Sequence, residues 1–417
     1  MTRAPPLPIS VLYLHPPGAF GGASRSLLEM IRGFPENAVE PHLITQRGSV
    51  AEVMGHAGIK VIAAPGISQF DETRFNYYRG RRWLLLGREL VYLPFTAWVL
   101  LRARMRWRGI DLVHANELTA LPAILLARLV FSRPVVVHVR SVQRGAHRDV
   151  RGWIIRWVLR RHAAAVIAID RTVARSLPPG MEATVIHNAF TPEIQPEDER
   201  RPRFGDGSPE VSRLRVGMVG DFLAFKGVRE FVESARICRD RGLNVEFVHI
   251  GGSARNRRGP IGSLLAVLGF LHDVEPEIRG YIAGHALEPC IRLAGFMSDI
   301  SSAYRKLDLL CFPSHLNAVG RPVFEAAFWA IPSIVALRDP EPDTFVHGAT
   351  GICIPPGDPA ALADAIAYFH AQPGELRRMG NAARQLARET FDSSGNAARV
   401  LEVYRRVLGR PLQAANG

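Results

Sequence analysis

The chain has 417 residues, more than one ordinary core holds, so two domains of similar size are expected. Hydrophobic residues make up 47% and charged residues 22%, a globular mix that excludes a disordered or fibrous chain. The net charge of +13 is lopsided: residues 1–190 carry 25 Lys+Arg against 12 Asp+Glu, while residues 191–417 carry 27 of each. An excess confined to one half points that half at something anionic: phospholipid, a phosphorylated acceptor or nucleic acid. A codon preference for arginine explains why only three lysines occur, but not why one half is unbalanced.

The first apolar run, Ile9-Ser10-Val11-Leu12-Tyr13-Leu14, is short and ends in a Pro-Gly turn. It reads as a strand rather than a leader peptide, because no cleavage region follows. Further strand candidates lie at 39–45, 61–63, 112–114, 135–139, 165–169 and 183–187, with helices between them such as 24–33 and 121–131. This alternation predicts a parallel sheet covered on both faces. Residues 190–212 are polar and rich in Pro and Gly, and 191–212 is taken as a linker between a first domain, 1–190, and a second, 213–392. The pattern then restarts, with strands at 214–219, 245–250, 291–293, 309–312, 333–336 and 351–354 and helices at 228–241, 298–307, 321–330, 359–371 and 375–390. Residues 393–417 hold a closing helix, expected to cross back to the first domain.

Two segments break the alternation. Residues 83–101 are apolar and edged by arginines, but Arg88, Glu89 and Pro94 interrupt the run, so it reads as an interfacial helix rather than a span. Trp83 and Trp98 would anchor it, and a helix packing into its own domain is the equal alternative. A second candidate interfacial patch combines Arg148, Arg151, Trp153, Arg156 and Trp157. Residues 253–286 look like an insertion. The cysteines, Cys238, Cys290, Cys311 and Cys353, have no paired spacing, which fits a reducing cytoplasmic compartment.

Chemistry concentrates where strands run into helices. Gly21 and Gly22 follow the first strand and open a helix, where free N–H groups attract phosphate. In the second half Gly220 ends a strand and Lys226-Gly227 opens a helix; a cation there makes sense with a diphosphate nearby. Phe312-Pro313-Ser314 ends another strand, followed by a loop through Asn317 and Gly320, then Arg321, Pro322 and Glu325 on a helix. A carboxylate one turn into that helix can accept hydrogen bonds from ribose hydroxyls. The arginines lack the context of a nucleic-acid-binding motif, so nucleic acid is not expected as a partner. No paired-Asp or His-x-x-x-His spacing appears, so no metal is expected either.

Together these stretches resemble the family-4 retaining glycosyltransferases, whose GT-B fold is two Rossmann-like doubly wound α/β domains facing across a cleft. The resemblance runs nearly the full length: Gly21-Gly22-Ala23, Asp111 through Asn116, Val135 through His138, Ile186 through Ala189, Lys226-Gly227, Gly295-Phe296, Gly320 through Ala326 and His347 through Gly351. It implies a nucleotide-sugar donor as co-substrate, with no cofactor. His138 would touch the donor sugar, Gly21, Gly22 and Gly220 would meet the phosphates, and Lys226 would neutralise the diphosphate. Glu325 would bind the ribose, and backbone near Gly295 and Phe296 would meet the base. Two departures stand out. Asn317 replaces the first glutamate of the family's paired motif, and Asp221 stands where an arginine is usual, with Arg229 or Arg321 as substitutes. The first domain would receive a lipid-linked or membrane-proximal acceptor at the inner face of the membrane, as in polysaccharide or glycolipid assembly. A weak nucleotide-binding relative or a nucleotide-sugar epimerase are the rival readings.

Overall fold

The computed structural model describes residues 7–71, 83–143, 149–192, 204–206, 213–252, 274–297 and 299–411. They form two compact units, Met1–Thr191 with Asp392–Gly417, and Pro192–Phe391. Each unit is built on one parallel sheet.

The first sheet has seven strands: β1 (Ile9–His15), β2 (Val39–Gln46), β3 (Lys60–Ala64), β4 (Leu112–Ala115), β5 (Val135–Val139), β6 (Ala165–Ala168) and β7 (Thr184–Val185), in the order β3-β2-β1-β4-β5-β6-β7. β1, β4 and β5 are buried along their whole length, as central strands covered on both faces must be. One face carries α3 (Leu84–Arg106), α4 (Leu121–Phe131) and α5 (Val150–His162), whose Val99, Ile124 and Ile155 share a core with Leu12 and Val137. The other carries α1 (Gly22–Arg32) and α2 (Ser49–His56), packed with Val11, Tyr13 and Val136. A short α6 (Arg171–Arg175) follows β6.

The last helix, α13 (Ser393–Val407), belongs to this second core through Val400, Leu401 and Tyr404. Its first turn lies so close to α1 that a Cβ at Gly33 would stand 2.5 Å from the Ser393 carbonyl oxygen. Tyr404 reaches the sheet, its hydroxyl 2.7 Å from His114 Nδ1 and 3.3 Å from the Tyr13 hydroxyl.

The second sheet has six strands: β8 (Leu214–Val219), β9 (Val245–Ile250), β10 (Ile291–Gly295), β11 (Leu309–Phe312), β12 (Ser333–Ala336) and β13 (Gly351–Ile354), in the order β10-β9-β8-β11-β12-β13. Around it lie α7 (Val228–Asp240), α8 (Glu275–Gly284), α9 (Ile300–Tyr304), α10 (Arg321–Phe328), α11 (Pro359–Ala371) and α12 (Pro373–Thr390). The thirteen strands match those expected from the sequence. The reading of 253–286 as an insertion is corrected in part. Its end, α8, is the crossover helix from β9 to β10 and buries Ile278 and Ile282 in the core of the second unit, with Val216 and Phe231; 253–273 lie outside the described residues. All four cysteines are free thiols.

In both sheets the strand order reverses direction once, between β1 and β4 in the first and between β8 and β11 in the second. A doubly wound sheet leaves a crevice at the carboxyl ends of the strands at that point, because the flanking crossovers turn away to opposite faces.

Candidate active site

Three helices begin beside these reversal points: α1 after β1, α7 after β8 and α10 after β11. Each starts on a glycine, Gly21, Gly227 or Gly320, which has no side chain to cap the N–H groups that follow; in α1 the Gly21 N–H itself donates to Ser24 Oγ at 3.4 Å. Of the other helices, α5, α6, α9, α11 and α13 are capped by Asp149, Asp170, Asp299, Asp358 and Asp392, while α2, α3, α4, α8 and α12 also have no side-chain cap, so it is the place at the reversal points that sets the three apart. Uncapped N–H groups carry the positive end of the helix dipole and suit a phosphate.

In the second unit, Gly220 closes β8 and its N–H donates to the Ile250 carbonyl at 2.9 Å. A 3-10 turn, Ala224–Lys226, then delivers Lys226 to the start of α7. Gly227 is required there: it holds φ +80°, and a Cβ would fall 1.9 Å from the Pro313 carbonyl oxygen. That contact presses the start of α7 against the loop after β11, where the His315 N–H donates to the Phe225 carbonyl at 2.8 Å. The Lys226 ammonium lies 5.5 Å from the Phe225 ring centroid and 5.8 Å from that of Phe312, so two aromatic faces hold the cation at the strand ends.

Asn317 is exposed on the loop and Gly320 follows it into α10. Glu325 is buried. Its Oε1 accepts from Arg321 Nε at 2.8 Å and its Oε2 from the Tyr304 hydroxyl at 2.8 Å, so the carboxylate is fixed in place and each oxygen keeps a lone pair. Arg321 is thereby committed to Glu325. Arg229 is paired with both oxygens of Glu277 at 2.6 Å, an exposed ion pair at the surface. At the far side of β8, Gly295 ends β10 with φ +73°, and Phe296 beside it is 80% exposed, an open ring next to Gly252.

In the first unit, Gly21 and Gly22 are exposed, and a Cβ on Gly21 would meet nothing within 4 Å. His138 is not at the surface: it lies inside β5, 2% exposed, with Nδ1 3.4 Å from Arg140 Nη2 and with Nε2 unpartnered. Burial, then Arg140 and His114, push its imidazole well below the usual range, so it is neutral. Two residues on, just past the end of β5, Arg140 takes the more open position, its Nη2 beside the His138 ring. Sequence reasoning missed Arg140 and gave no role to the groups it binds, Asn116 and Asn188, although both lie in stretches that carry the resemblance. The signal was present in His138-Val139-Arg140, a buried imidazole followed at period two by a cation.

The surface residues divide. Trp83, Trp98, Trp153 and Trp157 are exposed, at 56%, 47%, 62% and 47%. Arg151 turns inward to an ion pair with Asp71 and a 3.1 Å hydrogen bond to Gln143, which corrects its place on an open patch. Arg156 is half-buried, and Arg148 lies outside the described residues.

Comparison with known proteins decides the class. Residues 20–193 match Glycosyltransferase Family 4, and residues 208–386 match Glycosyl transferases group 1. The chain belongs to the GT-B glycosyltransferases. Among curated relatives, glycogen synthase of Mycobacterium tuberculosis is 25% identical over 307 residues, 72% of this chain and 69% of the relative. The capsular polysaccharide biosynthesis glycosyltransferase CapM of Staphylococcus aureus is 25% identical over 178 residues, 43% of this chain and 42% of its own. Among solved structures, HepE of Anabaena in complex with UDP superimposes with a TM-score of 0.70 at 18% identity, over 95% of this glycosyltransferase and 100% of HepE. A structure of HepE with UDP-glucose superimposes equally well.

Proposed function

We propose that this glycosyltransferase moves a sugar, with retention and without a metal, from a nucleotide-sugar donor to a lipid-linked acceptor at a membrane surface. The observation that carries the donor half is the junction of β8 and β11. Two uncapped helix starts, α7 and α10, meet there beside the aromatic-held Lys226, and Glu325 is fixed one turn into α10. In this reading Lys226 and the helix N–H groups take the charge that grows on the departing diphosphate, Glu325 accepts from the ribose and the Phe296 ring lies against the base. The HepE complexes with UDP and UDP-glucose support a uridine donor. The diphosphate charge is then met by the Lys226 ammonium and the backbone N–H groups at the starts of α7 and α10. In this reading His138, buried in β5 but lining a small cavity with Arg140 and Asn188, acts on the donor from beside Arg140.

The acceptor half rests on the layer formed by α3, α4 and α5. Among the described residues α3 is the one helix with the length and hydropathy of a bilayer span, and only 22% of that window is buried. It does not leave the sheet, because Glu89, Thr96, Val99, Leu100 and Ala103 line its inner side. Outward it presents Leu90, Val91, Trp98 and Met105, at 47–73% exposure, and α5 adds Trp153 and Trp157. Arg104 and Arg106 end α3, Arg128 lies in the last turn of α4, and Arg160 and Arg161 end α5. Aromatic and aliphatic side chains beside arginines suit the headgroup region of an anionic bilayer. The capsular and lipopolysaccharide transferases among its relatives and structural neighbours fit such an acceptor.

The test is product formation. The protein is incubated with UDP-, GDP- or ADP-sugars, with and without a lipid extract, and followed by mass spectrometry. Transfer to lipid supports the reading; turnover of donor to an isomer without acceptor would make it an epimerase, and binding without turnover a nucleotide-binding relative.

A further inference from the structure

Arg140, just past β5, reaches across the carboxyl ends of the sheet from β4 to β7. Its Nε donates to Asn116 Oδ1 at 2.6 Å, beyond β4, and its Nη1 to Asn188 Oδ1 at 2.6 Å, beyond β7. A guanidinium has five donors and no acceptor. The oxygen of the Asn116 amide therefore faces Arg140, and its NH2 faces away. There Nδ2 meets His15 Nδ1 at 3.0 Å and the Ala23 carbonyl at 3.3 Å. A ring nitrogen that receives a donor carries no proton, so the proton of His15 is on Nε2, which donates to Ser24 Oγ at 2.8 Å. Ser24 Oγ also accepts from the Gly21 N–H at 3.4 Å. Each link fixes the direction of the next, starting from a group that can only donate. Burial and Arg140 press His15 down to about 3, so the ring stays neutral and the direction persists at working pH.

The far end of this relay is an exposed turn, not a core. Gly21 and Gly22 are open to solvent at the start of α1. We propose that Arg140 is the positioning residue of the first unit: through Asn116, His15 and Ser24 it sets the backbone of the Gly21-Gly22-Ala23 turn. The inference rests on the reading that this turn meets the reacting groups. Lysine cannot replace the arginine, because two amide oxygens on separate loops need a planar fork rather than a point charge.

The test uses the full chain, Arg140→Lys and Asn116→Asp. Arg140→Lys keeps the charge and loses the fork. Asn116→Asp keeps an acceptor toward Arg140 but offers His15 an acceptor too, so the ring proton must move to Nδ1. Long-range proton–nitrogen spectra of histidine-labelled protein report that tautomer without any ligand. The expected result is Nε2–H at His15 in the wild type and Nδ1–H in Asn116→Asp. With UDP-glucose as the probe, both variants lose about tenfold or more in kcat, with KM and UDP affinity within about threefold. Wild-type kcat in both variants, or an Nδ1–H tautomer at His15 in the wild type, overturns the proposal. Should Arg140→Lys fail to fold, Asn116→Asp decides, since it keeps Arg140 paired. A wild type that binds no UDP sinks the uridine-donor reading alone, because the histidine spectra still decide the relay.

Discussion

Arg321 and Glu325, one turn apart on α10, are joined at 2.8 Å with both side chains mostly buried, and Tyr304 closes the other carboxylate oxygen. A buried pair of this kind costs more to break than it contributes intact, because the surviving charge is left without a partner. Glu325→Ala is therefore expected to lose about 3 kcal/mol or more of stability as well as nucleotide affinity. Glu325→Gln, which still accepts from Tyr304, should lose less. Urea melts of both variants check this, and equal, small losses would show the pair to be idle.

Gly21 separates fold from function. With an extended φ of −147° and open space around a built Cβ, Gly21→Val should fold as well as the wild type. The added methyl groups would occupy the space a ligand needs, so turnover of a nucleotide sugar should fall about tenfold or more. A thermal melt paired with an activity assay reads both; full activity would place the ligand elsewhere.

Acid should weaken the first unit. His15, His114 and His138 are fully buried, and burial with Arg140 nearby holds all three neutral, His15 down to about 3. In the unfolded chain each titrates near its ordinary value of about 6.5. Below that value the unfolded state takes up protons that the folded state refuses. The stabilisation is thus whole above about pH 6.5 and declines as pH falls toward 3, by up to about 1.4 kcal/mol per pH unit for each ring. Urea midpoints at about pH 7.5, 6 and 5 should fall with growing steepness. Midpoints that stay level would mean the three rings are protonated or solvated in the folded state.

The outer layer of α3 and α5 should bind membrane. Flotation with vesicles containing phosphatidylglycerol is expected to carry the protein up, less so at high salt. Replacing Trp98, Met105 and Trp153 together by Ser should weaken binding about tenfold or more, since each is well exposed and its loss disturbs no core. Equal flotation of the triple variant would remove this face from the account.

The strands were legible because a covered parallel sheet demands unbroken apolar runs such as Val135 through Val139, and each run is its own signal. Helix α5 was harder: its outer face is arginine and tryptophan, so the sequence shows a basic patch before it shows a helix. Depth within a strand was not legible at all. His138 lies inside β5 and Arg140 just past its end, and only the fold shows that the imidazole is buried while the guanidinium reaches the ends of the other strands. Pairings across long stretches of chain were equally hidden: Arg151, expected on an open patch, turns to Asp71, and Arg229 pairs with Glu277.

The central claim is that a nucleotide diphosphate binds where Lys226 and the starts of α7 and α10 meet. Titration calorimetry of UDP, GDP and ADP into the wild type and Lys226→Ala tests it most directly. The account predicts binding of one of them, weakened about tenfold to a hundredfold by the variant, as expected for the loss of one charge-assisted contact, with an unchanged melting temperature. Equal affinity in the two proteins would contradict it.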